Sequence, residues 1–209
     1  MARIVGIDFD NTIVCCDEVF FNLAVEMGMI PNSVDKAKNA VRDYIRAHFS
    51  NQHWTLLQAE VYGLRLIEAK PYPGVRDFLV ACRENGVVVQ IISHKTRYPA
   101  AEKKYDLHRS ALSWLSLNGF FDADNIGLSP ELVIFAPTRH QKLDQIRARA
   151  CSVFVDDLPE VFAEANFPDG VKKILFDPKD FYSTWNGGVR VLCWDEIRHS
   201  FFHGASCRS

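Results

Sequence analysis

Residues 3–12, Arg3-Ile4-Val5-Gly6-Ile7-Asp8-Phe9-Asp10-Asn11-Thr12, decide how the rest of the chain is read. An apolar, β-branched run ends abruptly in two aspartates. A strand covered on both faces has no outward position for a charge, so such a run reads as a buried strand of a parallel sheet. Its carboxylates then belong just beyond the carboxyl end. Four further runs of this kind follow, at 86–93 (GVVVQIIS), 132–136 (LVIFA), 152–155 (SVFV) and 173–176 (KILF), with a shorter sixth at 189–193. Between them lie helical patterns at 74–85, closed by Gly86, at 139–150 and at 159–165. Strands alternating with helices predict an α/β fold built on a doubly wound parallel sheet.

The gap between the first two strands is too long for one crossover. Residues 17–72 hold three helical stretches, at 17–29, 33–49 and 55–69, the first with Val19, Phe20, Leu23, Ala24 and Met27 on one face. Pro31-Asn32-Ser33 separates the first two, with Ser33 as the expected N-cap. Lys70-Pro71-Tyr72-Pro73-Gly74 breaks helix and marks the return. The expected organisation is therefore a core of residues 1–16 and 73–209 with a small helical cap at 17–72. Residues 105–121 read as an amphipathic helix whose aromatics belong to the core, and 199–209 as a polar, frayed tail. Lys36, Lys38, Arg42 and Arg46 recur at helical spacing, which usually means a solvated face. Arg42, Arg46 and His48 are the positions there that could read a leaving group.

With 209 residues, 48% hydrophobic and 24% charged, the composition is that of a globular protein with one sizeable core. A net charge of −2 gives no overall basic excess, so no nucleic-acid partner is expected. No segment reaches the roughly 20 apolar residues that span a bilayer, and no secretory signal is readable. No membrane partner and a cytoplasmic location are the expectations. The six cysteines (Cys15, Cys16, Cys82, Cys151, Cys193 and Cys207) show no Cys-x-x-Cys spacing, so they read as thiols rather than as a disulfide scaffold or a zinc site.

Ligands of open parallel sheets bind beyond the carboxyl ends of the strands. The polar residues to collect are therefore Asp8, Asp10, Asn11 and Thr12 after the first strand, and Ser93, His94 and Lys95 after the second. Asp156 and Asp157 follow the fourth, and Lys142 opens the helix after the third. Singly each has an ordinary reading: Ser93 a helix cap, Lys142 a solvated lysine, the aspartates turn residues. Together, clustered carboxylates need a cation, and oxygen ligands without His or Cys favour magnesium. A lysine and a hydroxyl beside such an ion suit a phosphate.

The run Asp8-Phe9-Asp10-Asn11-Thr12 resembles the first motif of the haloacid dehalogenase (HAD) superfamily. Ser93 resembles its second, Lys142 its third and Asp156-Asp157 its fourth, in the same order along the whole chain. The resemblance implies a HAD-type Rossmannoid core with a helical cap, and phosphatase activity with Mg2+ as cofactor. It makes Asp8 the nucleophile and a metal ligand, and Asp10 the general acid/base with its backbone carbonyl on the metal. Thr12 would steady the loop or touch substrate. Ser93 and Lys142 would hold the phosphate, with His94 beside them. Asp157 would take the metal-binding position, and Asp156 would be a second or alternative ligand. The second aspartate, Asp10, favours phosphate over halide chemistry. Asn11 and Asp156 both stand where glycine is commoner, and no aspartate follows Asp157 four residues on, Glu160 being the nearest acid. The expected reaction is hydrolysis of a small phosphomonoester, a sugar phosphate or a nucleotide. The alternatives are a phosphotransferase or mutase with the same aspartyl intermediate, or a binding protein on the same fold. The oligomeric state is not readable.

Overall fold

The structure, a computed structural model, describes residues 3–101 and 103–202. Cys207 and most of the expected polar tail lie outside the described residues. The chain runs through β1 (Ile4–Ile7), β2 (Val14–Cys15), α1 (Asp17–Glu26), α2 (Lys38–His48), α3 (Asn51–Tyr62), a 3-10 turn at Arg65–Glu68 and β3 (Lys70–Pro71). It continues through α4 (Val75–Glu84), β4 (Val88–His94), α5 (Leu107–Leu117), a 3-10 turn at Pro130–Leu132, β5 (Val133–Ala136) and α6 (Arg139–Ala148). Last come β6 (Val153–Asp156), α7 (Pro159–Phe162), β7 (Lys172–Phe176), β8 (Val189–Val191) and α8 (Trp194–Phe202).

All six expected runs become strands of one parallel sheet, in the order β5-β4-β1-β6-β7-β8. The chain builds outward from β1 to β4 and β5, then returns to the other flank of β1 with β6 and continues to β7 and β8. Both neighbours of β1 are thus laid down from opposite directions, and the switch point of the sheet lies at β1. Register is tight there: Ile7 sits opposite Ile91 of β4 and Val155 of β6. Gly6 is needed where it stands, since a Cβ on it would come within 2.5 Å of the Phe154 ring.

Successive residues of a strand face opposite ways, and here both faces are covered. Phe154 and Leu175 turn to one face, where Leu143 and Ile146 of α6 and Val161 and Phe162 of α7 meet them. Phe176 turns to the other, against Trp194 of α8 at 5.6 Å between ring centroids, with Phe78 of α4 a further 5.3 Å from Trp194. The sheet is therefore doubly wound, as the unbroken apolar runs predict.

The chain divides into two compact units. The first comprises Met1–Ile13, Pro71–His94 and Gly119–Ser209, and the second Val14–Lys70 and Lys95–Asn118. Helix α5, which the sequence reading left with the core, groups with α1, α2 and α3. Its Trp114 indole donates to the Ala69 carbonyl (2.8 Å) and Tyr105 just before it donates to Glu60 (2.8 Å), contacts that no sequence spacing announces. Within the second unit Phe20 stacks on Trp54 at 5.0 Å and meets Tyr62 edge-on at 5.4 Å.

Several boundaries differ from the reading of the sequence, three of them with a clear cause. α2 starts at Lys38 rather than after Ser33: Lys38 N–H is met from a distance by Asp17 Oδ1 (3.1 Å), and Ala37 N–H just before it donates to the nearby Asp35 Oδ1 (2.7 Å). α3 starts at Asn51, earlier than expected, because Ser50 supplies the cap by accepting from His53 N–H (3.3 Å). At the C-terminal end, His199–Phe202 is helical rather than frayed, held by Phe201, which is buried and meets Phe78 edge-on at 5.5 Å.

Candidate functional site

Asp8 is the first residue past β1, and its N–H extends the ladder by donating to the Val155 carbonyl (2.9 Å). The chain then turns back at once, with Ile13 N–H bonded to the Phe9 carbonyl (3.0 Å). Asn11 sits in this turn at φ +59°, a left-handed conformation that asparagine tolerates better than other side-chain-bearing residues. That accounts for asparagine at a position where glycine is the commoner choice. The turn is anchored from beneath. The Trp194 indole donates to the Thr12 carbonyl (3.1 Å), and the Thr12 hydroxyl faces Asp157 Oδ1 at 3.5 Å. Thr12 is fully buried, so it ties the loop to the β6 end.

Helix α6 brings in the lysine. Thr138 caps it by accepting from Gln141 N–H (3.2 Å), and the helix buries Lys142, Leu143 and Ile146. Lys142 is 2% exposed, and its ammonium bridges two carboxylates, Asp8 Oδ1 at 2.5 Å and Asp156 Oδ2 at 2.6 Å. The other oxygen of Asp156 accepts from Leu158 N–H (3.0 Å). Asp156 thus has both oxygens engaged, whereas Asp157 beside it is only half-buried.

Charge balance governs the site. Burial pushes the Asp8 carboxyl up to about 7; Lys142 opposes the rise, and the neighbouring charges of Asp156 and Asp10 add to it. Burial alone would lower the Lys142 ammonium, but Asp156 and Asp8 outweigh it and hold the ammonium above its ordinary range. The imidazole of His94 is depressed by burial first and then by the Lys142 charge, against a hydrogen bond to the Pro137 carbonyl.

Carboxylate oxygens of Asp8, Asp156 and Asp157 lie within 4.8 Å of one another. One ammonium among three carboxylates leaves an excess of negative charge, and Asp156 is one of the neighbours that raise Asp8. A divalent cation would remove it. The donors are all oxygen, with no thiolate or imidazole in the set, so the residues fit magnesium. Asp10 contributes no side-chain oxygen to this trio.

Ser93 lies at the end of β4, opposite Phe135 of β5 and next to the strand that delivers Asp8. It is 1% exposed, and its Oγ has no hydrogen-bond partner among the described residues. A buried hydroxyl left open in this way is ready for an oxygen of a ligand. Asp8, Asp10, Thr12, Ser93, His94, Lys142, Asp156 and Asp157 all belong to the first compact unit.

Other residues singled out in the sequence have local partners. Arg42 is bonded to Asp43 (2.8 Å) and Asn39 (3.1 Å), Arg46 to Asn51 (2.9 Å) and His48 to the Tyr44 carbonyl (2.9 Å). Lys95, collected with Ser93 and His94 beyond the second strand, is 4% exposed, and nothing in its local sequence signals that burial.

No protein-family model and no curated protein matches the sequence. Solved structures do. A HAD family hydrolase from Deinococcus radiodurans with bound phosphate and sodium is 16% identical, covering 95% of this chain and 94% of its own, at a TM-score of 0.57. A HAD-superfamily hydrolase, subfamily IA, variant 1, from Geobacter sulfurreducens is 15% identical over 94% of each chain, at 0.55. A predicted phosphoglycolate phosphatase from Haemophilus somnus is 14% identical, covering 95% of this chain and 98% of its own, at 0.54. The chain has the fold of the haloacid dehalogenase superfamily. In this HAD fold the ends of β1, β4 and β6 meet at the switch point, and the carboxylates, the open serine hydroxyl and the bridging lysine stand there together.

Proposed function

We propose that the chain is a magnesium-dependent phosphomonoester hydrolase that acts on a small phosphorylated metabolite, a sugar phosphate or a nucleotide, through a phospho-aspartyl intermediate on Asp8. The observation that carries this reading is the Lys142 ammonium held between Asp8 and Asp156, with the unpartnered Ser93 hydroxyl on the adjoining strand end. That arrangement keeps a buried carboxylate oriented and offers donors for the oxygens of a phosphoryl group.

Asp8, Asp156 and Asp157 would hold magnesium, with the Asp10 carbonyl, and the ion would supply positive charge against the phosphoryl oxygens. The chain's own residues do the rest. An Asp8 oxygen attacks phosphorus while the bond from phosphorus to the leaving oxygen breaks, and Asp10 gives its proton to that oxygen. Water then attacks the acyl-phosphate, Asp10 takes its proton, and the bond between Asp8 and phosphorus opens to release phosphate. Lys142 and Ser93 hold the equatorial oxygens throughout, and Trp194 and Thr12 keep the loop carrying both aspartates in place. The phosphate bound in the Deinococcus radiodurans hydrolase and the phosphatase name of the Haemophilus somnus protein support phosphate as the transferred group.

The test is phosphate release from a panel of sugar phosphates and nucleotides. Release should require magnesium and fall at least about a thousandfold in Asp8→Asn. Release that persists in that variant would sink the aspartyl mechanism. Transfer to an added acceptor instead of water would move the assignment to a phosphotransferase.

A further inference from the structure

The sheet leaves a gap at the start of β4, at the edge opposite the carboxylates. β5 first pairs with β4 at Ile91 and Val133, so the strand before Ile91 has no ladder on that flank. Val88 N–H donates to the Arg3 carbonyl on the β1 side (3.0 Å), and alternation along the strand turns the Val89 N–H and carbonyl toward the gap. Leu132, whose N–H would extend the ladder to that carbonyl, donates instead to the Ser129 carbonyl (2.9 Å) in the 3-10 turn. The gap is a cavity of about 190 Å³ with Leu79 and Arg83 of α4, Val89, Ile126, Leu128 and Leu132 along its walls. All of them belong to the first compact unit. Leu79, Val89, Ile126 and Leu128 are buried, whereas Arg83 is exposed, so an apolar interior has one charge on its solvent side.

Those walls and that charge define what fits. An apolar cavity of about 150 Å³ is enough to hold benzene, so this one has room for a ring or a branched chain bearing one small polar group. Arg83 donates from Nη1 to the Ala123 carbonyl (2.8 Å), which fixes the guanidinium beside the cavity, and it forms no ion pair among the described residues. The acid nearest along the chain, Asp122, accepts instead from Asp124 N–H (3.0 Å). A guanidinium carries five N–H donors in a fork that matches a carboxylate, and most of those of Arg83 are still available.

We propose that this cavity is a binding site for a small carboxylic acid with an aromatic or branched apolar body, the body against Leu79, Ile126 and Leu128 and the carboxylate on Arg83. Ser93 lies five residues further along β4 than Val88, about 17 Å away at the rise of a strand. The occupant is therefore a separate ligand and not the group that reacts at Asp8, and the site stands whether or not the proposed hydrolysis does.

Titration of benzoate into the full chain, followed through the backbone N–H signals of Val89 and Gly127 in proton–nitrogen correlation spectra, tests the assignment. Saturable shifts of both are expected, while the signals of Asp8 and Ser93 report separately on benzoate held at the catalytic edge. Arg83→Met should weaken binding at Val89 and Gly127 about tenfold, and Arg83→Lys should restore part of it. Benzamide, the neutral analogue, should bind wild type about tenfold less tightly than benzoate and be indifferent to Arg83→Met. Leu132→Trp, which fills the cavity, should abolish the shifts; because Arg83 is exposed, its own substitution keeps the test alive if Leu132→Trp does not fold. Equal affinity for benzoate and benzamide overturns the carboxylate assignment, and no saturable shift at Val89 and Gly127 overturns the site. Shifts of the same signals that grow with protein concentration in the absence of benzoate overturn it as well, since a second copy of the chain would then cover the cavity.

Discussion

At the scale of single residues the site is a problem in charge. Asp8, Asp156 and Asp157 crowd one another, and Lys142 offsets one of the three negative charges. The folded carboxyl of Asp8 titrates near 7, above its ordinary value of 3.8, because it is buried and its acidic neighbours add to the rise. A raised carboxyl is favourable to the fold while protonated. Its contribution is therefore complete below pH 3.8 and is lost as pH climbs through 7. In metal-free protein Asp8→Asn should accordingly stabilise the chain at pH 8, by up to about 4 kcal/mol, with the difference vanishing toward pH 4. Urea unfolding in chelator at the two pH values measures it. A variant less stable than wild type at pH 8 would show that Asp8 gains more from Lys142 than it loses to burial.

At the scale of elements the helix starts carry the local stability. Asp106 caps α5 by accepting from Arg109 N–H (3.0 Å), and its other oxygen pairs with Arg97 (2.9 Å). The Arg109 N–H, with Arg97 second, holds this carboxyl below its ordinary value. A depressed carboxyl contributes above its unfolded value and is lost as pH falls through the folded one. Asp106→Ala should therefore cost about 1 kcal/mol at neutral pH. The cost should shrink steadily once the pH drops below about 4, as the wild-type cap protonates. Parallel chemical denaturation series at neutral and acid pH would reveal a cost that does not depend on pH, in which case the cap is steric rather than charged.

At the scale of the whole molecule, folding itself assembles the acidic site, because its members come from two strand ends far apart in sequence. An ion that binds only the folded arrangement stabilises it in proportion to the logarithm of its concentration over Kd. Thermal unfolding should thus shift upward with magnesium, by about 2.7 kcal/mol of stability at a hundredfold excess over Kd. Asp157→Asn should blunt that response, since Asp157 is the half-buried member of the trio. Equal shifts in wild type and variant would move the ion away from Asp157.

The sequence alone determined the sheet and its polar edge. A run such as Arg3–Phe9 can only be a doubly covered strand, and a charge at its end can only lie past the ladder, so Asp8, Ser93 and Asp156 could be placed from apolar patterning. Pairings between distant segments have no such local signature. The engagement of both Asp156 oxygens, the Trp194 indole beneath Thr12, and the start of α2 at Lys38 against Asp17 rather than at Ser33 all depend on residues brought together across long stretches of chain. Lys95 is the clearest case. Its neighbours Thr96 and Arg97 are polar and exposed, and the packing of Tyr62 and His108 around it turns a loop lysine into a buried charge.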